Sequence, residues 1–251
     1  MFEFYEIQSP EGSVLCIRKN GAEFGQVPFH FNRLHLAHVY LEFEGNSFLA
    51  IVDTELIQGI SAFFQKPLQV MVSSRKASVA GKLRALGFER RRRCYEVVAR
   101  RSDYLGIESG GDAEVQYAGK GSEPFQQCSD LMLCRYIETH RDISPWTGSP
   151  AAFFDVLPAK AAYEKRGRHI ENLAFIEGGE IAYVCGGELD SFKNFAETLI
   201  VEMFKDTDEL SFEADDNDIY AMTLKNLFTI QNEESWDTYV LTISCGLRSG
   251  F

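Results

Sequence analysis

Apolar residues recur along this chain in two periods, every second position and every third or fourth, and the order of these patterns repeats once. Residues 38–52 alternate on either side of Glu44-Gly45-Asn46-Ser47, which predicts two strands joined by a Gly/Asn turn. Residues 170–185 take the same form about Glu177-Gly178-Gly179-Glu180. Each hairpin leads into a helix. The earlier one covers residues 54–64; the later one carries a stripe of Phe192, Phe195, Ala196, Leu199, Ile200, Met203 and Phe204, with Asp190 or Ser191 placed to cap it. A β-rich stretch comes next (68–72 or 209–212), then a helix ending in Leu86-Gly87-Phe88 or Asn226-Leu227-Phe228, then a closing strand (93–98 or 236–243). Residues 131–137 read as the first strand of the later copy. The pattern predicts an α/β protein of two units, each a mixed sheet flanked by helices.

Charge sharpens the division. Residues 1–101 hold 14 basic against 10 acidic residues (+4), whereas residues 102–251 hold 11 against 27 (−16). The Gly/Ser/Asp-bearing stretch from Arg101 reads as a connector, so the expected organisation is a shortened unit over 1–101, a linker over 102–125 and a second unit over 126–251. With 251 residues, 45% of them hydrophobic, and 20 Phe, the chain can bury substantial cores, and disordered, collagenous and coiled-coil classes are excluded. No stretch approaches the ~20 apolar residues that cross a bilayer. The first twenty residues have no basic start or apolar run, so a cytoplasmic location and no membrane partner are expected. Six scattered cysteines without a CxxC pair read as reduced core thiols. His30, His35 and His38 would suit zinc if a helix presented the last two on one face. The alternation around them instead reads as a strand, no Cys or carboxylate completes a set, and no metal is expected. Arg90 to Arg93 would suit phosphates, but no aromatic interleaving accompanies the run in this acidic chain, and a nucleic-acid partner is not expected.

The order hairpin, helix, strand, helix, strand, together with the ending SSRKASVAGKLRALGFERRRRCYEVV, resembles the second half of the GCN5-related N-acetyltransferase (GNAT) superfamily over roughly residues 38–98 and 131–243. The family's helix form NxxAxxxYxxxGF is matched in outline only. Counting back from Phe88, its Asn, Ala and Tyr fall on Lys76, Val79 and Leu83; counting back from Phe228, they fall on Asp216, Ile219 and Thr223, with Leu227 in place of the Gly. The resemblance implies acetyl-CoA as acyl donor and an amine as acceptor. The missing letters equally suit a GNAT-fold binding or scaffolding protein without catalysis.

The resemblance also supplies candidate site residues. The family's (Q/R)xxGx(G/A) phosphate loop is matched by Gln116-Tyr-Ala-Gly119-Lys-Gly121, although ahead of the second unit rather than after its central strand. The position equivalent in the repeat is Gly186-Gly187 leading to Ser191, where a strand enters a helix through two glycines and backbone amides can approach phosphate closely. Glu188, Asp190, Asp215 and Asp216 crowd that end with negative charge. His140, Glu177 and Tyr220 are the candidate proton carriers, with Glu171 a further base. If transfer occurs, the acidic surplus favours a cationic small-molecule amine as acceptor. Residues 139–169 would shape its pocket, and the sequence leaves the oligomeric state open.

Overall fold

A computed structural model describes residues 1–9, 12–43, 47–106, 110–230 and 233–242. Two compact units emerge. The first comprises residues 1–92, 142–147 and 236–251, and the second residues 93–141 and 148–235. The predicted turn residues Glu44 to Asn46, part of the expected linker, Cys245 and the end of the last predicted strand fall outside the described residues.

The first unit begins with strands that the hairpin repeat did not reveal: β1 (Phe2–Ser9), β2 (Gly12–Lys19) and β3 (Ala22–Asn32), an antiparallel meander continuing into β4 (His35–Leu41). Residues 47–52, expected as the second arm of a hairpin, instead include the short helix α1 (Phe48–Ile51). Phe48 is buried there, against Phe43 at a ring distance of 6.2 Å, so the apolar run serves a helical turn rather than an alternating strand. Then come α2 (Thr54–Phe64), β5 (Leu68–Ser73) and α3 (Ala77–Ala85), as the periodicity predicts.

The closing strands are exchanged between the two halves of the chain. β6 (Glu89–Arg100), expected to close the first sheet, pairs from Cys94 to Arg100 with a strand of the second unit. The last strand of the chain instead lies antiparallel to β5, with Trp236 opposite Ser73 and Leu241 opposite Leu68. Local periodicity marks a segment as a strand without saying which edge it joins, and this pairing between distant segments decides it.

The second unit follows as β7 (Gln116–Gly119), α4 (Glu123–His140), α5 (Pro150–Val156), β8 (Lys160–Arg166), β9 (His169–Glu177), β10 (Glu180–Cys185), α6 (Leu189–Met203), β11 (Glu209–Asp215), α7 (Ile219–Lys225) and β12 (Glu234–Leu241), whose residues from Trp236 belong to the first unit. Part of the expected linker is therefore strand β7, paired with β8. Residues 131–137, expected as a strand, lie inside α4. Phe125, Cys128, Ser129 and Met132 are its buried residues, a helical spacing set by Ser122, whose side chain caps the helix, and by Pro124 in its first turn. Sheet order in this unit is β6-β11-β10-β9-β8-β7.

Helices cover both faces of the second sheet. Along β9, Ala174 and Ile176 join the α6 core with Phe192, Phe195, Leu199 and Ile200, while Phe175 turns to the other face and meets Phe125 of α4 at 5.3 Å between rings. Each large side chain buried this way contributes about 1.5–3 kcal/mol. The stripe predicted for α6 is buried in full.

Candidate functional site

The central parallel pair of the second sheet opens almost as soon as it forms. β10 and β11 pair only at Glu180–Ser211 and Ile181–Phe212, and the strands part beyond these residues. A β-bulge at Ala182, where β10 slips against β9, accompanies the parting. With one residue inserted, Ile181 and Val184 both join the α6 core, while Tyr183 meets Tyr136 and Phe153 on the α4–α5 face at 6.2 and 6.0 Å. Among the described residues the stretch 182–185 thus has no ladder partner on its β11 side, and its backbone polar groups border a wedge inside the sheet.

The wedge leads to Gly186-Gly187 and the start of α6. Glu188 occupies the cap position without a side-chain cap bond, and among the described residues no acceptor meets the amides of Leu189, Asp190 and Ser191. Three free N–H groups at the start of a fifteen-residue helix make a ready anion cradle. Both glycines keep it compact. A Cβ on Gly186 would stand 2.8 Å from Asn172 Oδ1 and from Phe192 Cδ2, and one on Gly187 would stand 3.0 Å from Glu171 Cγ.

Asn172, fully buried on β9, pins this turn: its Nδ2 donates to Glu164 Oε2 at 2.7 Å and to Ser191 Oγ at 2.9 Å, and its Oδ1 accepts from Gly187 N at 3.3 Å. The sequence reading did not single it out, although an Asn inside the apolar run of a strand is a visible signal. Arg135 of α4 and Asp218, which caps α7, were missed as well. Arg135 Nη2 lies 3.0 Å from Asp218 Oδ1, both side chains are less than a fifth exposed, and the guanidinium sits over the Tyr220 ring at 5.1 Å. The Cys185 thiol is pushed up to about 11, chiefly by burial, and stays protonated at neutral pH.

Among the sequence-based candidates, Gly186, Gly187, Ser191 and Tyr220 come together here, with the Tyr220 hydroxyl donating to Gly187 O at 2.8 Å. Burial raises the pKa of that phenol. His140 lies at the end of α4, stacked on Tyr136 at 3.8 Å with Nδ1 donating to Tyr136 O at 3.0 Å. Glu177 stands opposite Glu180 at the far end of β10, roughly 20 Å along the strand from Gly187. There it lines a groove of about 390 Å³ with Glu180, Ala182, Tyr183 and residues 156–159. Glu171 is paired with Arg166 at 2.9 Å. Gln116, Gly119 and Gly121 lie at β7 and the turn into α4, where the Ser122 side chain already takes the Phe125 amide.

The first unit has a comparable wedge. β4 and β5 pair only at Val39–Leu68 and Tyr40–Gln69. Its following helix differs, because the Asp53 carboxylate caps α2 by accepting from Leu56 N. Among the described residues no cluster of His, Cys, Asp and Glu is placed to hold a metal, and no helix is long and apolar enough to cross a membrane.

No protein-family model matches the chain, and no curated protein matches it significantly by sequence. Solved structures do. The chain is similar over 92% of its length, and over 80% of the other, to a GCN5-related N-acetyltransferase from Sphaerobacter thermophilus, with TM-score 0.50 and 7% identity. A conserved protein of unknown function from Enterococcus faecalis V583, described as a probable N-acyltransferase, matches over 92% of this chain and 62% of its own (TM-score 0.50, 8% identity). A functionally unknown conserved protein from Staphylococcus epidermidis ATCC 12228 matches over 82% and 84% (TM-score 0.50, 10% identity). Identities this low speak to architecture alone: the chain has the fold of the GCN5-related N-acetyltransferases, in two units.

Proposed function

We propose that the second unit binds an acyl-CoA in the β10–β11 wedge and transfers its acyl group to a cationic amine seated over Glu177 and Glu180. The observation that carries this reading is the open cradle: the wedge runs directly into two glycines and the unpartnered amides of Leu189, Asp190 and Ser191. Those amides suit the phosphates of the cofactor. The β10 backbone beside the bulge suits an extended amide chain and a thioester carbonyl, which backbone N–H groups polarise as charge develops on oxygen. The acceptor side rests on the groove at the other end of β10. Glu177 and Glu180 face each other across the hairpin, and among the described residues neither has a cationic partner, a like-charge arrangement that a bound ammonium relieves. Residues 156–159 offer its aliphatic part an apolar wall. In the transfer the ammonium first gives one proton to solvent, the resulting neutral amine attacks the carbonyl, the C–N bond forms as the C–S bond breaks, and the second proton lost by nitrogen ends on the thiolate.

The filled cradle of the first unit supports a non-catalytic role for that half. A second reading, binding without transfer, is favoured by the Tyr220 hydroxyl, which is tied to a backbone carbonyl rather than free as a proton donor.

Thermal shift with acetyl-CoA, with and without spermidine, tests the proposal. Acetyl-CoA should raise the melting temperature by linkage, spermidine should add to the shift, and Glu177→Gln with Glu180→Gln should remove only the second effect. No stabilisation at millimolar acetyl-CoA rules the reading out.

A further inference from the structure

We infer that the Tyr220 side chain, on the first turn of α7, is a latch across the mouth of this wedge, positioned by Arg135, and that a pantetheine-type ligand must open it to enter. The inference rests on the donor-site reading above and adds its regulation. Gly187 follows β10 and Tyr220 follows β11, so the 2.8 Å bond between the Tyr220 hydroxyl and the Gly187 carbonyl spans the gap just where the strands have parted. Two further contacts hold the phenol in place. Phe192 of α6 meets its ring edge-on at 5.0 Å, Arg135 stacks over it at 5.1 Å, and Arg135 is itself anchored to Asp218, two residues before Tyr220, at 3.0 Å. Asn217 Nδ2 donates to Thr139 O at 2.7 Å and fastens the same turn to the end of α4.

These contacts form a closed circuit from β10 through α7 to α4. An extended ligand lying along residues 182–185 with its phosphates at Leu189 to Ser191 has to pass between Gly187 and Tyr220. The bond there is a neutral hydroxyl–carbonyl pair at a partly exposed position, which is cheap to break. The ion pair behind it is largely buried, and Arg135 is held by Glu138 at 3.1 Å as well as by Asp218, so it is the firmer part of the closure. The arrangement predicts that Tyr220 swings while Arg135 and Asp218 stay.

Tyr220→Phe removes the hydroxyl and leaves the ring, its contact with Phe192 and its place beneath Arg135. Two readouts decide the matter. Without ligand, hydrogen exchange across residues 219–225 should quicken in the variant. With CoA as probe in calorimetry, the variant should bind about three- to tenfold more tightly, the range expected for losing one competing hydrogen bond. CoA binding of equal or lower affinity in the variant, or unchanged exchange, overturns the latch and leaves the donor site standing. Failure of both proteins to bind CoA overturns the donor-site reading and the latch with it.

Discussion

The Asp53 carboxylate accepts a hydrogen bond from the Leu56 amide at 2.9 Å, so the chain's own anion occupies the start of α2. At the corresponding place in the second unit the cap residue Glu188 makes no such bond. This one difference separates the two halves more cleanly than their net charges do. Replacing Asp53 by Ala should cost about 1 kcal/mol of stability, and Asp53→Asn should restore most of it, since either side chain caps a helix. Urea denaturation of the three proteins reads this directly, and equal midpoints would show that the cap does not hold the helix.

Acidity should loosen the first unit. His35 Nδ1 donates to Ser144 O at 2.6 Å, and His38 Nδ1 to Gln69 Oε1 at 2.9 Å. Burial lowers both pKa values below 6.5, with Arg92 and the neighbouring imidazole adding to the effect at His35. The unfolded chain therefore takes up these protons first as pH falls. The stability the pair contributes is complete above about pH 6.5 and is lost as pH drops toward the folded-state values. Denaturation midpoints should fall between pH 7.5 and pH 5, and His35→Gln should flatten that dependence. Parallel curves for the two proteins would assign the acid sensitivity to other groups.

Exchange of the closing strands makes the halves of the chain interdependent. A fragment of residues 1–101 lacks β12 to cover β5, and a fragment of residues 126–251 lacks β6 to cover β11, leaving central strands as bare edges. Each fragment made alone should be insoluble or lack a cooperative melt, and co-expression should recover a folded complex. A cooperative melt from either fragment alone would refute this dependence.

The two glycine loops should respond differently to alanine. Gly186→Ala brings a methyl within 2.8 Å of Asn172 Oδ1 and should cost about 1–3 kcal/mol while weakening any CoA binding. At Gly119 a Cβ meets nothing within 4 Å, so Gly119→Ala should leave both stability and binding near those of the parent. Loss of CoA binding on Gly119→Ala alone would move the cradle to the β7–α4 turn.

Local chemistry determined much of this protein from the sequence alone. The α6 stripe, the β9–β10 hairpin and Gly186-Gly187 before a helix were legible because side-chain period and glycine placement act over a few residues. Residues 131–137 were misread as a strand because a short apolar run fits either period, and packing of Met132 and its helical neighbours settled it. The tertiary structure alone decided which edge each closing strand covers. It also revealed that Arg135, Asp218 and Tyr220, drawn from segments more than eighty residues apart, meet at the mouth of the wedge. Pairing at that separation is set by total burial and by satisfied polar groups, which no window of sequence contains.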